Sequence, residues 1–247
     1  MRLRKNHSKL GLTLIELLVV IAITALILAV LVPALAIAKE RARRTVCLAN
    51  IHQFILGLHV YADENNYHLP SSQTNNTFLL LMVDYDKIAE STGDDRTMFC
   101  PSLGEPFIRK SSGVTGGYAW GNDAHYIGYN YLGGHKNTPW PLVPPATTEW
   151  KSILKNNSRS SEPLITELNA WSGTFNKTVS PHGKRGAIRQ SGDYMNTGLG
   201  GISSEQIGAD GGNLGFIDGS GHWKHVEKTV VYVISNGGQG REWLSFW

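Results

Sequence analysis

The chain has 247 residues, 41% of them apolar, with 23 Lys and Arg against 20 Asp and Glu and a formal charge of +3. Four of the cations, Arg2, Arg4, Lys5 and Lys9, lie in the first 11 residues, and without them the formal charge falls to −1. The sequence pI near 8.8 therefore gives no reason to expect a nucleic-acid partner.

After this basic stretch comes Lys9-Leu10-Gly11-Leu12-Thr13-Leu14-Ile15-Glu16, and then 22 residues, Leu17 to Ala38, without a formal charge. About 20 apolar residues at 1.5 Å each span a hydrocarbon core. A carboxylate inside such a segment costs about 2.5 kcal/mol or more at the bilayer centre, so Glu16 calls for a partner. A plain anchor explains the length but not the acid. A secretory signal peptide, cut near Ala34-Leu35-Ala36 so that the chain begins at Ile37, would have an apolar region of only about 7–15 residues.

The third reading accounts for every feature. Gly11-Leu12-Thr13-Leu14-Ile15-Glu16 resembles the processing site of type IV pilins and type II secretion pseudopilins. The resemblance implies cleavage after Gly11 by a prepilin peptidase and methylation of the new amino terminus at Leu12, where most members carry Phe. It makes Glu16 the fifth mature residue and Pro33 the twenty-second, where the family also carries a proline. In that setting Glu16 would meet the ammonium of a neighbouring subunit, since an uncompensated buried charge costs several kcal/mol. Pro33, with no amide hydrogen, is expected to bend or locally melt the helix. Four Lys/Arg precede the apolar run, and Lys39, Arg41, Arg43 and Arg44 follow it, so the positive-inside rule is silent. The processing motif sets the orientation, with the leader inside and the bulk of the chain outside. Residues 39–44 read as a solvated or headgroup-facing collar.

Helical periodicity continues through Cys47, Ile51, Phe54, Ile55, Leu58 and Ala62, and breaks at Asp63-Glu64-Asn65-Asn66 and Pro70. This divides the chain into a leader (1–11), a transmembrane and amphipathic stem helix (12–62) and an exported head (63–247). The expected fold is α+β: a pilin-like stem carrying a Gly-rich head with antiparallel strands. All seven tryptophans lie in the head. Residues 77–85 read as a short helix packed on the stem. Leu164–Thr166, Leu214–Ile217, His222–Val226 and Val230–Ile234 read as strands. Asp218-Gly219 marks a hairpin over 213–226. The phrase Gly212–Gly219 resembles the C-terminal motif of large-headed pseudopilin-like proteins, in which a histidine, here His182, precedes an Asp-Gly turn. Cys47-Leu48-Ala49-Asn50-Ile51 and Phe99-Cys100-Pro101-Ser102 resemble the same group.

In the oxidising compartment that the resemblance implies, Cys47 and Cys100 are candidates for a disulfide, with two free buried thiols as the other reading. Asp210, Asn213 and Asp218 are weak candidates for calcium, against ordinary turn residues. No other cofactor is expected. The histidines show no His-x-x-x-His pair or local Cys/His cluster, so the spacing gives no zinc site. No Gly-x-Ser-x-Gly elbow, Walker loop or paired-carboxylate signature is present, and an enzyme would need folding to gather His182, His222, Asp193 and Asp218. The function implied is a structural subunit of a type II secretion pseudopilus or a type IV pilus-like filament. Its partners would be the membrane, other subunits, the peptidase and the assembly machinery. The alternative is a membrane-anchored extracytoplasmic glycan- or ligand-binding protein that uses exposed tryptophans.

Overall fold

The computed structural model describes residues 13–71, 76–103, 119–120, 124–158, 161–175, 177–184, 188, 202–235 and 243–247. Its first element is a single helix, α1 (Leu14–Glu64), of 51 residues, about 76 Å at 1.5 Å per residue. Thr13 opens it with a capping box. Its hydroxyl accepts from the Glu16 amide at 3.2 Å, and Glu16 Oε2 accepts from the Thr13 amide and hydroxyl, each at 2.8 Å. The helix is not interrupted at Pro33. This corrects the expectation of local melting: the proline removes one amide donor, and the turns on either side carry the helix through. The helix ends within two residues of the expected break, where Asn66 and Tyr67 take left-handed backbone angles.

The head follows in chain order. Strand β1 (Leu79–Leu81) leads directly into helix α2 (Met82–Thr92), and a 3-10 turn occupies Asp95–Met98. Next come β2 (Ala119–Trp120), β3 (Ala124–Tyr126), β4 (Tyr129–Tyr131), β5 (Pro163–Glu167), β6 (Ala170–Ser172) and β7 (Lys177–Val179). The chain closes with β8 (Gly211–Phe216), β9 (Gly221–His225), a 3-10 turn at Val226–Lys228, β10 (Val231–Ser235) and β11 (Trp243–Phe246). The strands form three antiparallel sheets, ordered β1-β3-β2, β4-β5-β8-β9 and β10-β11-β6-β7. The α+β class expected from the sequence is the class observed.

Of the helix expected at residues 77–85, Leu79–Leu81 is strand. Leu79 and Leu80 pair with Tyr126 and His125, and the helix starts only at Met82. A run of leucines buried on both faces has no period to separate helix from strand, and a partner more than 40 residues away decided it. The helix that does form packs on the stem as expected. Tyr61 donates to Asp84 at 2.9 Å, and Gly57 leaves room for Thr92.

The sheet β4-β5-β8-β9 lies against the second half of α1. Gly215 of β8 faces Ile51 and Ile55 so closely that a Cβ would stand 2.4 Å from one and 2.7 Å from the other. The 213–226 hairpin forms with Gly219 at φ 82° in its turn. Asn130, fully buried, ties the layers by accepting from Thr77 and donating to Thr166, the Glu167 carbonyl and Ser245. A second core of aromatics stacks edge to face around Trp140, Trp150, His135 and Trp247.

Candidate functional site

The two halves of α1 present different surfaces. From Leu14 to Ile37 the large apolar side chains are all exposed, among them Leu26 at 70% and Val30 at 70%. This half is long and apolar enough to cross a membrane, and none of it is covered by the head. From Glu40 on, one stripe of Cys47, Ile51, Phe54, Ile55, Leu58, Tyr61 and Ala62 is buried. Every residue of the expected periodic face lies in it. The apolar half therefore has no partner within its own chain among the described residues, and Glu16 stands at its start.

Gly11 and Leu12 lie outside the described residues. Glu16 holds the capping box described above, and Pro33 sits mid-helix on the bare half. Thr13-x-x-Glu16 is a capping signature legible in the sequence that the reading of Glu16 as a charge partner passed over.

A second constellation forms where α1 meets the head. Cys47 and Glu40 are seven residues apart on one face of α1. Cys100 follows the Asp95–Met98 turn, Glu167 ends β5, and His182 follows β7. None of the five is more than 3% exposed. His182 Nδ1 is 2.5 Å from Glu40 Oε1, and Nε2 lies 3.2 Å from Glu167 Oε1 and 3.5 Å from Cys100 Sγ. The ligand atoms of Cys47, Cys100, Glu167 and His182 all lie within 4.8 Å of one another. Burial works against a charge on His182, yet Glu167, Cys100 and Glu40 push its pKa up to about 12. Burial also opposes ionisation of Cys100, while hydrogen bonds from Cys47 and His182 pull its thiol down to about 7. Burial and the neighbouring Cys100 hold the proton on Cys47.

Arg44 seals the rim. It lies within hydrogen-bond reach of Glu40 at 3.3 Å, Asp210 at 2.6 Å and the Gly183 carbonyl at 3.0 Å, and sits 4.1 Å over the Trp223 ring. The expected basic collar thus loses one member to the head. The three calcium candidates do not gather. Asp210 is taken by Arg44, Asn213 donates to Glu167 and to the Arg44 carbonyl, and Asp218 accepts from Ser220 inside its own turn. Cys47 and Cys100 are brought together as free thiols. The sequence shows no local Cys/His cluster; the fold builds one from three elements. Glu40, Arg44 and Glu167 gave no signal in the sequence, because nothing in their spacing relates them to His182.

Of the remaining residues considered for chemistry, His222 is exposed on β9, away from the buried His182, and Asp193 lies outside the described residues. Five of the seven tryptophans expected to offer stacking faces are interior: Trp140, Trp150, Trp171, Trp243 and Trp247 are each 6% exposed or less, while the side chain of Trp120 lies outside what the structure describes. Trp223 is half-buried under Arg44.

Residues 6–32 match the family model described as the prokaryotic N-terminal methylation motif. The chain is also 34% identical over 110 residues, 44% of its own length, to the type IV wide pilus major component PilA4 of Thermus thermophilus, and covers 77% of that protein. This chain belongs to the type IV pilin family. It is a pilin-like filament subunit, and its bare apolar half and methylation motif fit membrane anchoring with the head outside. No solved structure matches the chain.

Proposed function

We propose that the chain is cut after Gly11 by a prepilin peptidase and methylated at Leu12. It then crosses the inner membrane once as a stem with an exported head, and polymerises through the bare half of α1 into a surface pilus-like filament. The observation that carries this reading is the contrast along α1: an uncovered apolar half beginning at a single acid, continuous with a half that buries one stripe against the head. An uncovered apolar stripe of bilayer length is soluble only in lipid or against other copies of itself.

In the monomer Glu16 is satisfied by Thr13. In the filament a neighbour's Leu12 ammonium takes that carboxylate, and the pair fixes the axial register between subunits, because any other register leaves a charge unpaired in low dielectric. The continuity of α1 through Pro33 keeps the stem rod-like before assembly, and the missing amide at Pro33 marks where it yields as subunits pack. The pilus form is favoured over a secretion pseudopilus by the chain's similarity to the wide pilus component of Thermus thermophilus. The chain works by polymerising, and the reading gives it no chemistry of its own. The glycan-binding alternative loses most of its support with the burial of five of the seven tryptophans.

Two measurements test this. N-terminal sequencing and intact mass of the membrane-extracted protein should find methylated Leu12 as the first residue. Shearing of cells should release the chain in a filament fraction. A chain that still begins at Met1, or that begins at Ile37, overturns the reading.

A further inference from the structure

We propose that Cys47, Cys100, Glu167 and His182 form a closed tetrahedral metal site, with Zn²⁺ as its ion, that clamps the stem to the head. The inference goes beyond filament assembly and stands on the geometry of the junction.

The first argument is the shape of the cluster. Zinc bonds of about 2.3 Å to sulfur and about 2.0–2.1 Å to nitrogen or oxygen give a tetrahedron with S···N edges of about 3.6 Å and N···O edges of about 3.3 Å. The observed Cys100 Sγ to His182 Nε2 distance is 3.5 Å, and His182 Nε2 to Glu167 Oε1 is 3.2 Å. All four ligand atoms fall within 4.8 Å of one another.

The second argument is the hydrogen-bond inventory. Without a cation, the single Nε2 proton faces both Cys100 and Glu167. Among the described residues Glu167 Oε2 has no hydrogen-bond partner, although Glu167 is only 1% exposed. Two sulfurs, a carboxylate and an imidazole nitrogen converging on one buried point leave more lone pairs than protons. A cation at that point satisfies them together. On loading, the thiol protons and the Nε2 proton leave, and His182 keeps the proton on Nδ1.

The third argument is what surrounds the cluster. His182 Nδ1 is held at 2.5 Å by Glu40, which leaves Nε2 for the metal. This carboxylate–histidine–metal order fixes the ring and its tautomer in metal centres generally. Asn213 donates to Glu167 Oε1 at 2.7 Å and orients it. Thiolate and imidazole together select a borderline-soft divalent ion over calcium or magnesium. Four protein ligands, none more than 1% exposed, leave no open position for substrate, so the site is structural and not catalytic. The ligands come from α1, the loop after the Asp95–Met98 turn, β5 and the segment after β7. One ion therefore ties the stem to three separate parts of the head.

The test uses the full chain, extracted from membranes in detergent without reductant or chelator. Elemental analysis and native mass should find one zinc per chain. Both cysteines should resist alkylation until a chelator is added. A metal-free chain lighter by two hydrogens, with Cys47 and Cys100 bridged, overturns the proposal. So does a metal-free chain whose two thiols alkylate directly. Cys100→Ser should lose the zinc, and full retention by that variant overturns the assignment. Cobalt exchange into the wild-type chain needs no variant to fold. It should give the visible bands of tetrahedral cobalt together with near-ultraviolet thiolate-to-cobalt absorption. Bound cobalt without the thiolate absorption overturns the site.

Discussion

The two halves of α1 share one backbone and differ in everything their side chains touch. Residues 14–38 expose nearly every Leu, Ile and Val, whereas residues 40–64 bury a stripe under a sheet, a helix and a turn. Helix geometry is therefore not what separates membrane stem from head support. The separation comes from the pattern of polar residues: apolar all round in the first half, one-sided in the second. A helix apolar on every face must find lipid or other helices, and a one-sided helix must find a head. The boundary falls at Lys39 to Arg44, where Glu40 and Arg44 turn inward and Lys39 and Arg41 stay out.

The sharpest way to break this contrast is Glu16→Ala. The variant should be processed normally and keep its head folded, yet be lost from the sheared filament fraction. Thr13→Ala is its control: it removes the cap, a loss of about 1 kcal/mol, and should still assemble. Normal assembly of Glu16→Ala would sink the charge-pair mechanism.

The next largest effect lies in the covered half. Phe54→Ala should destabilise the head by about 3–5 kcal/mol, read as a lower thermal midpoint in detergent. Leu28→Ala, on the bare half, should leave that midpoint unchanged. Equal effects from the two would erase the distinction between the halves.

A third prediction concerns pH and the aromatic core. His135 is 3% exposed among Trp140 and Trp150, and burial lowers its pKa to about 4, although its Nε2 lies 3.0 Å from the Tyr131 carbonyl. The unfolded chain takes up this proton near 6.5, well before the folded one does. Between about pH 6.5 and pH 4 the unfolded state therefore binds more protons, and stability falls as pH drops. The loss is roughly 3 kcal/mol at most. Midpoints measured across that window should fall less steeply in His135→Gln than in wild type, and parallel slopes would remove His135 as the cause. The smallest effect is at the contact of β8 with the stem. Gly215→Ala should cost about 1–3 kcal/mol by driving a methyl into Ile51 and Ile55. No change in midpoint would mean that the sheet does not press on α1.

Much of the stem was legible because its signals are local. The apolar run, Glu16, and the three- and four-residue steps from Cys47 to Ala62 each lie within one helix, and a helix makes sequence spacing into spatial spacing. The hairpin at Asp218-Gly219 was legible for the same reason. Strands β6, β7 and β11 were not, since each is short and carries no alternation of its own. Leu79–Leu81 reads as helix in the sequence because its partner strand lies more than 40 residues on.

The sequence by itself determined that the chain has a membrane-length apolar segment led by a methylation motif, followed by a one-sided helix and a Gly-rich head. Those properties follow from the order of residues along the backbone. Only the tertiary structure decided that Cys47, Cys100, Glu167 and His182 meet at one buried point, that Arg44 leaves the collar, and that five of the seven tryptophans are core. These are meetings between residues tens to more than a hundred positions apart, set by which sheet docks on which face of α1, and no local spacing encodes them.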